Sequence, residues 1–278
     1  MEHVSNNNSV SLVELKTRSL IPQTWEGQVR AIGISEYKEA ALSLAQAFAT
    51  DELAQYILDS DDMVGVGDEV KWRLHVDIFN YIVAAHCYRG IVTTIGPDYE
   101  GVALWMPPGQ EMDDWMTIIR SGMWRLYYQL SAEGRKRYYQ ELLPVLHKAK
   151  VETMGDRDNE CYYLVYLGTK PAGQRRGYAR KLIQQMASKA DAEGRPMYLE
   201  SSSLKNNSYY KKFGFEAKRD IYLGADSKSP VRLTIMVREP QKLHNSIPIK
   251  LNAGFKMMTS FGLASSWILL SHTRFIAS

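Results

Sequence analysis

Residues 160–183 read ECYYLVYLGTKPAGQRRGYARKLI, and the pattern changes character once within them. Tyr162 to Leu167 is aromatic and branched, the composition of a β-strand, and Gly168 and Pro171 close it. From Ala179 onward the apolar residues fall at Ala179, Leu182, Ile183, Met186, Ala187 and Ala190, a spacing of three and four that lays them on one face of an α-helix. Gly194 and Pro196 stop that helix. Between strand and helix lies Gly173-Gln174-Arg175-Arg176-Gly177-Tyr178, a short turn. Such a turn aims the unpaired amides of a helix start, with the positive end of its dipole, at one point that suits a phosphate. Arg175, Arg176, Arg180 and Lys181 add charge around it.

A second patterned stretch follows at 198–215, YLESSSLKNNSYYKKFGF: a strand, an Asn at a helix start, an aromatic-Tyr pair and a closing Gly-Phe. The Q-x-x-G-x-A of Gln174 to Ala179 resembles the acetyl-CoA pyrophosphate loop of the GNAT acetyltransferases. The 198–215 stretch resembles their second signature, in a form closest to puromycin N-acetyltransferase and its relatives. The two occur in the family's order, with a helix between them. The resemblance covers about residues 29–240 and is strongest over 160–215.

The resemblance implies an α/β (α+β) GNAT fold, a mixed central sheet with splayed central strands flanked by helices. It implies N-acetyl transfer from acetyl-CoA, as co-substrate, to an amine, without a metal. Gln174, Arg175, Arg176, Gly177, Tyr178 and Ala179 would hold the pyrophosphate; Leu167, Gly168 and Thr169 would bind the pantetheine arm through their backbone, and Asn206 would also bond it. Tyr210 matches the family's general acid, since a phenol with pKa near ~10 protonates a thiolate while staying neutral itself. Glu200 is the first candidate for the base, with Glu160 and Asp158 second. The pattern favours a small-molecule acceptor, antibiotic- or metabolite-like. A protein or peptide amine, or a module that binds acetyl-CoA without turnover, stays open.

Composition sets the outer limits. The chain has 278 residues with net charge +3, too small a charge to argue for nucleic acid or an anionic membrane. Its two cysteines, Cys87 and Cys161, sit in apolar runs and form no disulfide framework, so buried thiols and a cytoplasmic setting are expected. No H-E-x-x-H, paired C-x-x-C, G-x-S-x-G or Walker lysine directs the chain to another chemistry.

Elsewhere residues 1–28 read as a loose arm and 241–278 as an appendage with no family counterpart, its Phe255–Leu270 run too short to span a bilayer securely. A strand is expected at 29–32. Two helices follow, capped by Ser35 and Asp51, with Tyr37, Phe48 and Tyr56 as neighbours of the acceptor or as core. A long helix over 72–88 and a hairpin about Gly96-Pro97-Asp98 come next. A helical insertion at about 110–150 is read as one amphipathic helix over 112–130 and a second over 132–149, interrupted or started afresh near Pro144. Its aromatic residues, Trp115, Trp124, Tyr127, Tyr128, Tyr138 and Tyr139, are expected to be core. Strands at 216–223 and 231–237 close the domain.

Overall fold

The computed structural model describes residues 19–224 and 230–241. The first eighteen residues of the expected arm, and the expected appendage from residue 242 onward, lie outside them. Seven strands, β1 (Arg30–Ile32), β2 (Ile91–Ile95), β3 (Gly101–Met106), β4 (Tyr162–Thr169), β5 (Met197–Ser201), β6 (Glu216–Leu223) and β7 (Val231–Arg238), form one mixed sheet in the order β1-β2-β3-β4-β5-β7-β6. Among these strands only β4 and β5 pair parallel; the helix between them makes the crossover that parallel neighbours require.

Strand periodicity sorts side chains to two faces. Ala103, Trp105, Leu164, Met197 and Leu199 face α9 (Tyr178–Ala192), whose Leu182, Ile183, Met186 and Ala190 are buried against them. On the other face Val102 and Leu104 pack under α2 (Tyr37–Ala47), α3 (Glu52–Leu58) and α4 (Asp68–Arg89). Tyr198, Ile235 and Val237 pack under α8 (Leu143–Met154). Roughly 1.5–3 kcal/mol for each fully buried large side chain makes these clusters the main stabilising term.

Within the expected arm, Thr24–Gly27 forms a short helical turn, α1. The Ser35 cap fails: Ile34–Glu36 forms a 3-10 turn, and α2 begins at Tyr37 with no side-chain cap bond. Asp51 does cap α3, accepting from the amides of Leu53 and Ala54 at 3.0 and 3.2 Å.

The expected helix over 112–130 is broken. Trp115–Ser121 (α5) ends at Gly122, whose φ of 81° is left-handed backbone, and Leu126–Gln129 (α6) restarts in a new direction. Leu126 and Leu130 are buried, whereas Met116 and Ile119 are exposed. With the rotation lost, Trp115, Trp124, Tyr127 and Tyr128 also face solvent, against the expectation of core; Arg125 and Arg135 lie over the Trp124 and Tyr127 rings. Tyr138 and Tyr139 do pack against the core. Past residue 131 the helix runs on without a break, and an α-helical stretch starts afresh at Leu143, next to the expected Pro144. Ala132–Arg135 (α7) passes through a π-helical stretch, Lys136–Leu142, into α8, and Pro144 falls in the first turn of α8. The wider π turn lets the helix carry a proline that has no N–H to give.

Candidate active site

The decisive geometry is the seam between β4 and β5. They pair only at Tyr162↔Met197, Tyr163↔Tyr198 and Leu164↔Leu199. β4 runs on to Thr169 and β5 to Ser201, but no further partners join them, so the two strands splay. On its other edge β4 stays paired with β3 through a bulge: Trp105 faces Leu164, Leu104 faces Tyr166, and Val165 is the extra residue. The bulge shifts the alternation by one. Tyr166 therefore joins Val165 on the face covered by α2 and α4, while Leu167 turns to the α9 face.

Leu167, Gly168 and Thr169 lie on the splayed part of β4. A Cβ on Gly168 would sit 2.8–3.1 Å from side-chain atoms of Leu44, Ala47 and Phe48, so glycine lets α2 close directly over the strand. Beyond the strand, Gln174, Arg175, Arg176 and Gly177 are exposed, Tyr178 is buried and Ala179 half-buried. Arg175 and Gly177 take left-handed φ of 63° and 77°, which winds the loop onto the start of α9. The first intrahelical bond there is Lys181 N–H to Gly177 O at 3.2 Å, leaving the amides of Tyr178, Ala179 and Arg180 without helical acceptors. Nothing lies within 4 Å of where a Gly177 Cβ would be. Open space beside amides that lack helical acceptors suits a pyrophosphate.

Two of the four loop charges are engaged. Arg176 is ion-paired with Glu26 and lies 3.9 Å from Glu100, Glu26 also accepts from the Tyr178 hydroxyl at 2.9 Å, and Lys181 donates to Gly27 O at 2.9 Å. The α1 turn is thus docked on the loop.

Across the splay, α10 (Leu204–Lys211) begins at Leu204, with Ser203 before it making no side-chain cap bond. Asn206 lies inside the helix, so the expected opening of the helix by Asn206 is corrected: it is exposed and lines the cavity with Tyr210, one turn later on the same side. Asn207, which the sequence did not single out, is buried and donates to Thr234 Oγ1 at 2.9 Å; Thr234 donates in turn to Asp220 Oδ1 at 2.6 Å. That chain ties α10 to β7 and β6. Tyr210 packs edge-on against Phe215 with ring centroids 5.8 Å apart, and burial pushes its phenol above the ordinary range. At neutral pH the hydroxyl keeps its proton.

Glu200 sits on β5 opposite Ile235, with its side chain on the face away from α9. It lines the same cavity as Tyr210. Its Oε1 is shielded from solvent and has no hydrogen-bond partner. Burial pushes the carboxyl up to about 7, with the neighbouring Tyr163 and Tyr198 phenols acting the other way. The alternative carboxylates are committed elsewhere. Asp158 pairs with Lys150, and Glu160 lies 3.3 Å from Arg195 on the surface.

The cavity measures about 140 Å³ and runs from the splay to α2, α3 and α4, the lid helices that cover it. Phe48 and Tyr166 line it, as do residues the sequence reading passed over: Phe79, His75 and Ser202. Asp51, read only as a cap, lines it as well. Tyr37 and Tyr56 instead pack against the core. Cys161 is buried as expected whereas Cys87 is only half-buried, and desolvation raises both thiols to about 11, which lowers their reactivity.

A family profile described as an acetyltransferase (GNAT) domain matches residues 146–217, the span from α8 through β4, α9 and α10. An uncharacterized N-acetyltransferase of Schizosaccharomyces pombe is 42% identical over 212 residues, covering 76% of this chain and 83% of that protein. Among solved structures, arylalkylamine N-acetyltransferase 2 of Aedes aegypti superposes with a TM-score of 0.50 at 17% identity, over 77% of this chain and 99% of that one. A mosquito arylalkylamine N-acetyltransferase-like protein, 5b, does so at the same TM-score and 12% identity, over 76% of this chain and 99% of that one. With this relative and this site together, the chain belongs to the GNAT acetyltransferases and is an acyltransferase.

Proposed function

We propose that the chain moves an acetyl group from acetyl-CoA to the primary amine of a small molecule by direct transfer. One observation carries this reading: Glu200 of β5 and Tyr210 of α10 line one cavity with Val165, Tyr166 and Leu167, on the stretch of β4 that has lost its β5 partner. The thioester supplies the activated acetyl carbon. The loop from Gln174 to Ala179 is suited to its pyrophosphate, and the backbone of Leu167, Gly168 and Thr169, with Asn206, to its pantetheine arm.

Glu200, poised about 7, takes one proton from the amine nitrogen to free the lone pair that forms the N–C bond. Tyr210 gives its proton to the sulfur as the C–S bond breaks, and regains one from solvent. A partly enclosed cavity of this size favours a small molecule over a protein segment. The Leu-Glu-x-Ser and Tyr-Tyr pattern supports an acceptor related to those of the puromycin acetyltransferase type. The two free thiols, with no disulfide between them, fit a cytoplasmic location, and among the described residues no helix is long and apolar enough to cross a membrane. No metal enters the proposal.

The test is acetyl-CoA titration by calorimetry, followed on the same sample by thiol release over a panel of amines. Binding with thiol release for a small amine is expected. Binding with release only for lysine peptides, or no release with any amine, overturns the proposal.

A further inference from the structure

The cavity has two chemically distinct parts. On the lid side Phe48, Phe79 and Tyr166 form a ring cluster with centroids 5.1–5.7 Å apart. His75 stands edge-on to Phe79 at 5.1 Å, and its Nε2 is bonded to Ala45 O at 3.0 Å. Burial lowers the His75 pKa below its ordinary value, so at neutral pH it adds no positive charge. A space of about 140 Å³ between such walls is the size that accepts a benzene-like body.

The charged groups on the lining are Asp51 and Glu200, both acidic, and among the described residues no Lys or Arg lines the cavity. Asp51 Oδ1 is used in capping α3. Its Oδ2 accepts a single hydrogen bond from Ser202 Oγ at 2.7 Å. That bond crosses from the lid helices to the segment between β5 and α10, so Asp51 stands where the two walls meet. Among the described residues neither Asp51 nor Glu200 has an ion-pair partner. Asp51, together with the ionised fraction of Glu200, faces an apolar space with no protein cation and leaves a deficit that a ligand cation can fill. The rings add attraction for the same charge.

Resting on the reading of this cavity as the acceptor site, we propose that Asp51 determines acceptor specificity. It selects an ammonium ion attached to a compact, ring-sized apolar body and rejects acceptors that carry an acidic group. Glu200 first takes one proton from that ammonium to free the attacking lone pair, and the second N–H proton leaves to solvent after the N–C bond forms. A second carboxylate beside Asp51 and Glu200 has no cation to meet and faces like charge. A purely polar cation such as a diamine satisfies Asp51 but leaves the ring cluster unfilled.

The experiment compares steady-state transfer to 2-phenylethylamine, phenylalanine and putrescine by wild type and by Asp51→Asn. Asn caps a helix as well as Asp through its one oxygen, and its NH2 takes the place of Oδ2 and donates to Ser202 Oγ once that hydroxyl turns, so the substitution removes charge while keeping the local bonds. Wild type is expected to prefer phenylethylamine over phenylalanine by roughly 10²-fold in kcat/KM. In Asp51→Asn, KM for phenylethylamine should rise about 10- to 100-fold with kcat nearly unchanged, and the preference over phenylalanine should narrow. Equal use of phenylalanine or putrescine by wild type overturns the specificity while leaving the transferase reading intact. A variant that changes kcat rather than KM overturns the role of Asp51. Failure to release thiol with any amine removes both. The wild-type preference is read without the variant, so poor folding of Asp51→Asn would not rescue the proposal.

Discussion

Replacing Glu200 with glutamine separates catalysis from stability in opposite directions. The wild-type carboxyl stands at about 7, above the ordinary 4.5, because burial disfavours its charge. A base at about 7 is roughly one-tenth ionised at pH 6 and about nine-tenths ionised at pH 8. The wild-type rate should therefore climb about tenfold across that interval and level off. The side-chain amide in Glu200→Gln cannot accept the proton, so the inflection should vanish and the plateau rate fall by ~10²–10⁴. Stability moves the other way. A raised folded pKa means the folded chain holds the proton more tightly than the unfolded chain, so Glu200 costs nothing below pH 4.5 and progressively more as pH rises toward 7. The gap between the ordinary and the folded value corresponds to about 3 kcal/mol at pH 8. Glu200→Gln should then raise the melting temperature by roughly 6–12 °C at pH 8, with a much smaller change at pH 4.5. Rate against pH with saturating acetyl-CoA and thermal melts at both pH values are the assays. A variant with wild-type turnover, or one that melts lower at pH 8, refutes the argument.

Tyr210→Phe keeps the ring against Phe215 and removes the proton donor. Turnover should drop by about 10²-fold or more while acetyl-CoA affinity, measured by calorimetry, changes little; equal turnover would remove Tyr210 as the acid. Gly177→Glu puts a side chain on backbone at φ 77°, a strain of about 1–2 kcal/mol, and sets a carboxylate at the phosphate loop. Acetyl-CoA should bind at least ~10-fold more weakly, and unchanged affinity would count against the loop. His86 is fully buried, its Nδ1 2.8 Å from Ile82 O and its Nε2 unpaired, and burial lowers its pKa from 6.5 to about 4. The unfolded chain takes up that proton first as pH falls, so the contribution of His86 is complete above pH 6.5 and lost by pH 4, about 3 kcal/mol in all. His86→Leu should flatten that part of the pH–stability curve, and melts that fall in parallel with wild type would disprove it.

The half of the fold that holds the phosphate loop was legible because local rules act there unopposed. Tyr162 to Leu167 is uniformly aromatic and branched, and Leu182, Ile183, Met186 and Ala190 repeat with the helical period. Reading stopped where distant packing decides. The i, i+3, i+4 pattern of Met116, Ile119, Met123 and Leu126 runs straight through Gly122, and only the backbone shows that this glycine turns the chain. Ser203, not Asn206, precedes α10, because the buried bond from Asn207 to Thr234 fixes where that helix sits. Asp51 announced itself as a helix cap, but its second oxygen meets Ser202 from 151 residues away. No spacing rule reaches that far. The run Ser201-Ser202-Ser203 directly after Glu200 was the one local sign that this lip of the cleft is polar.

The seam between β4 and β5 bears on how the molecule opens as well as on what it binds. Three parallel pairs join the halves of the sheet there, whereas β6 and β7 are matched over seven register pairs around a bulge. The sparsest backbone pairing between interior strands thus crosses the place where the proposed function brings the substrates together. A donor arm lying along β4 would act as a missing strand. Its arrival should slow amide hydrogen exchange at Val165 to Thr169 and join two loosely coupled halves into a single cooperative unit.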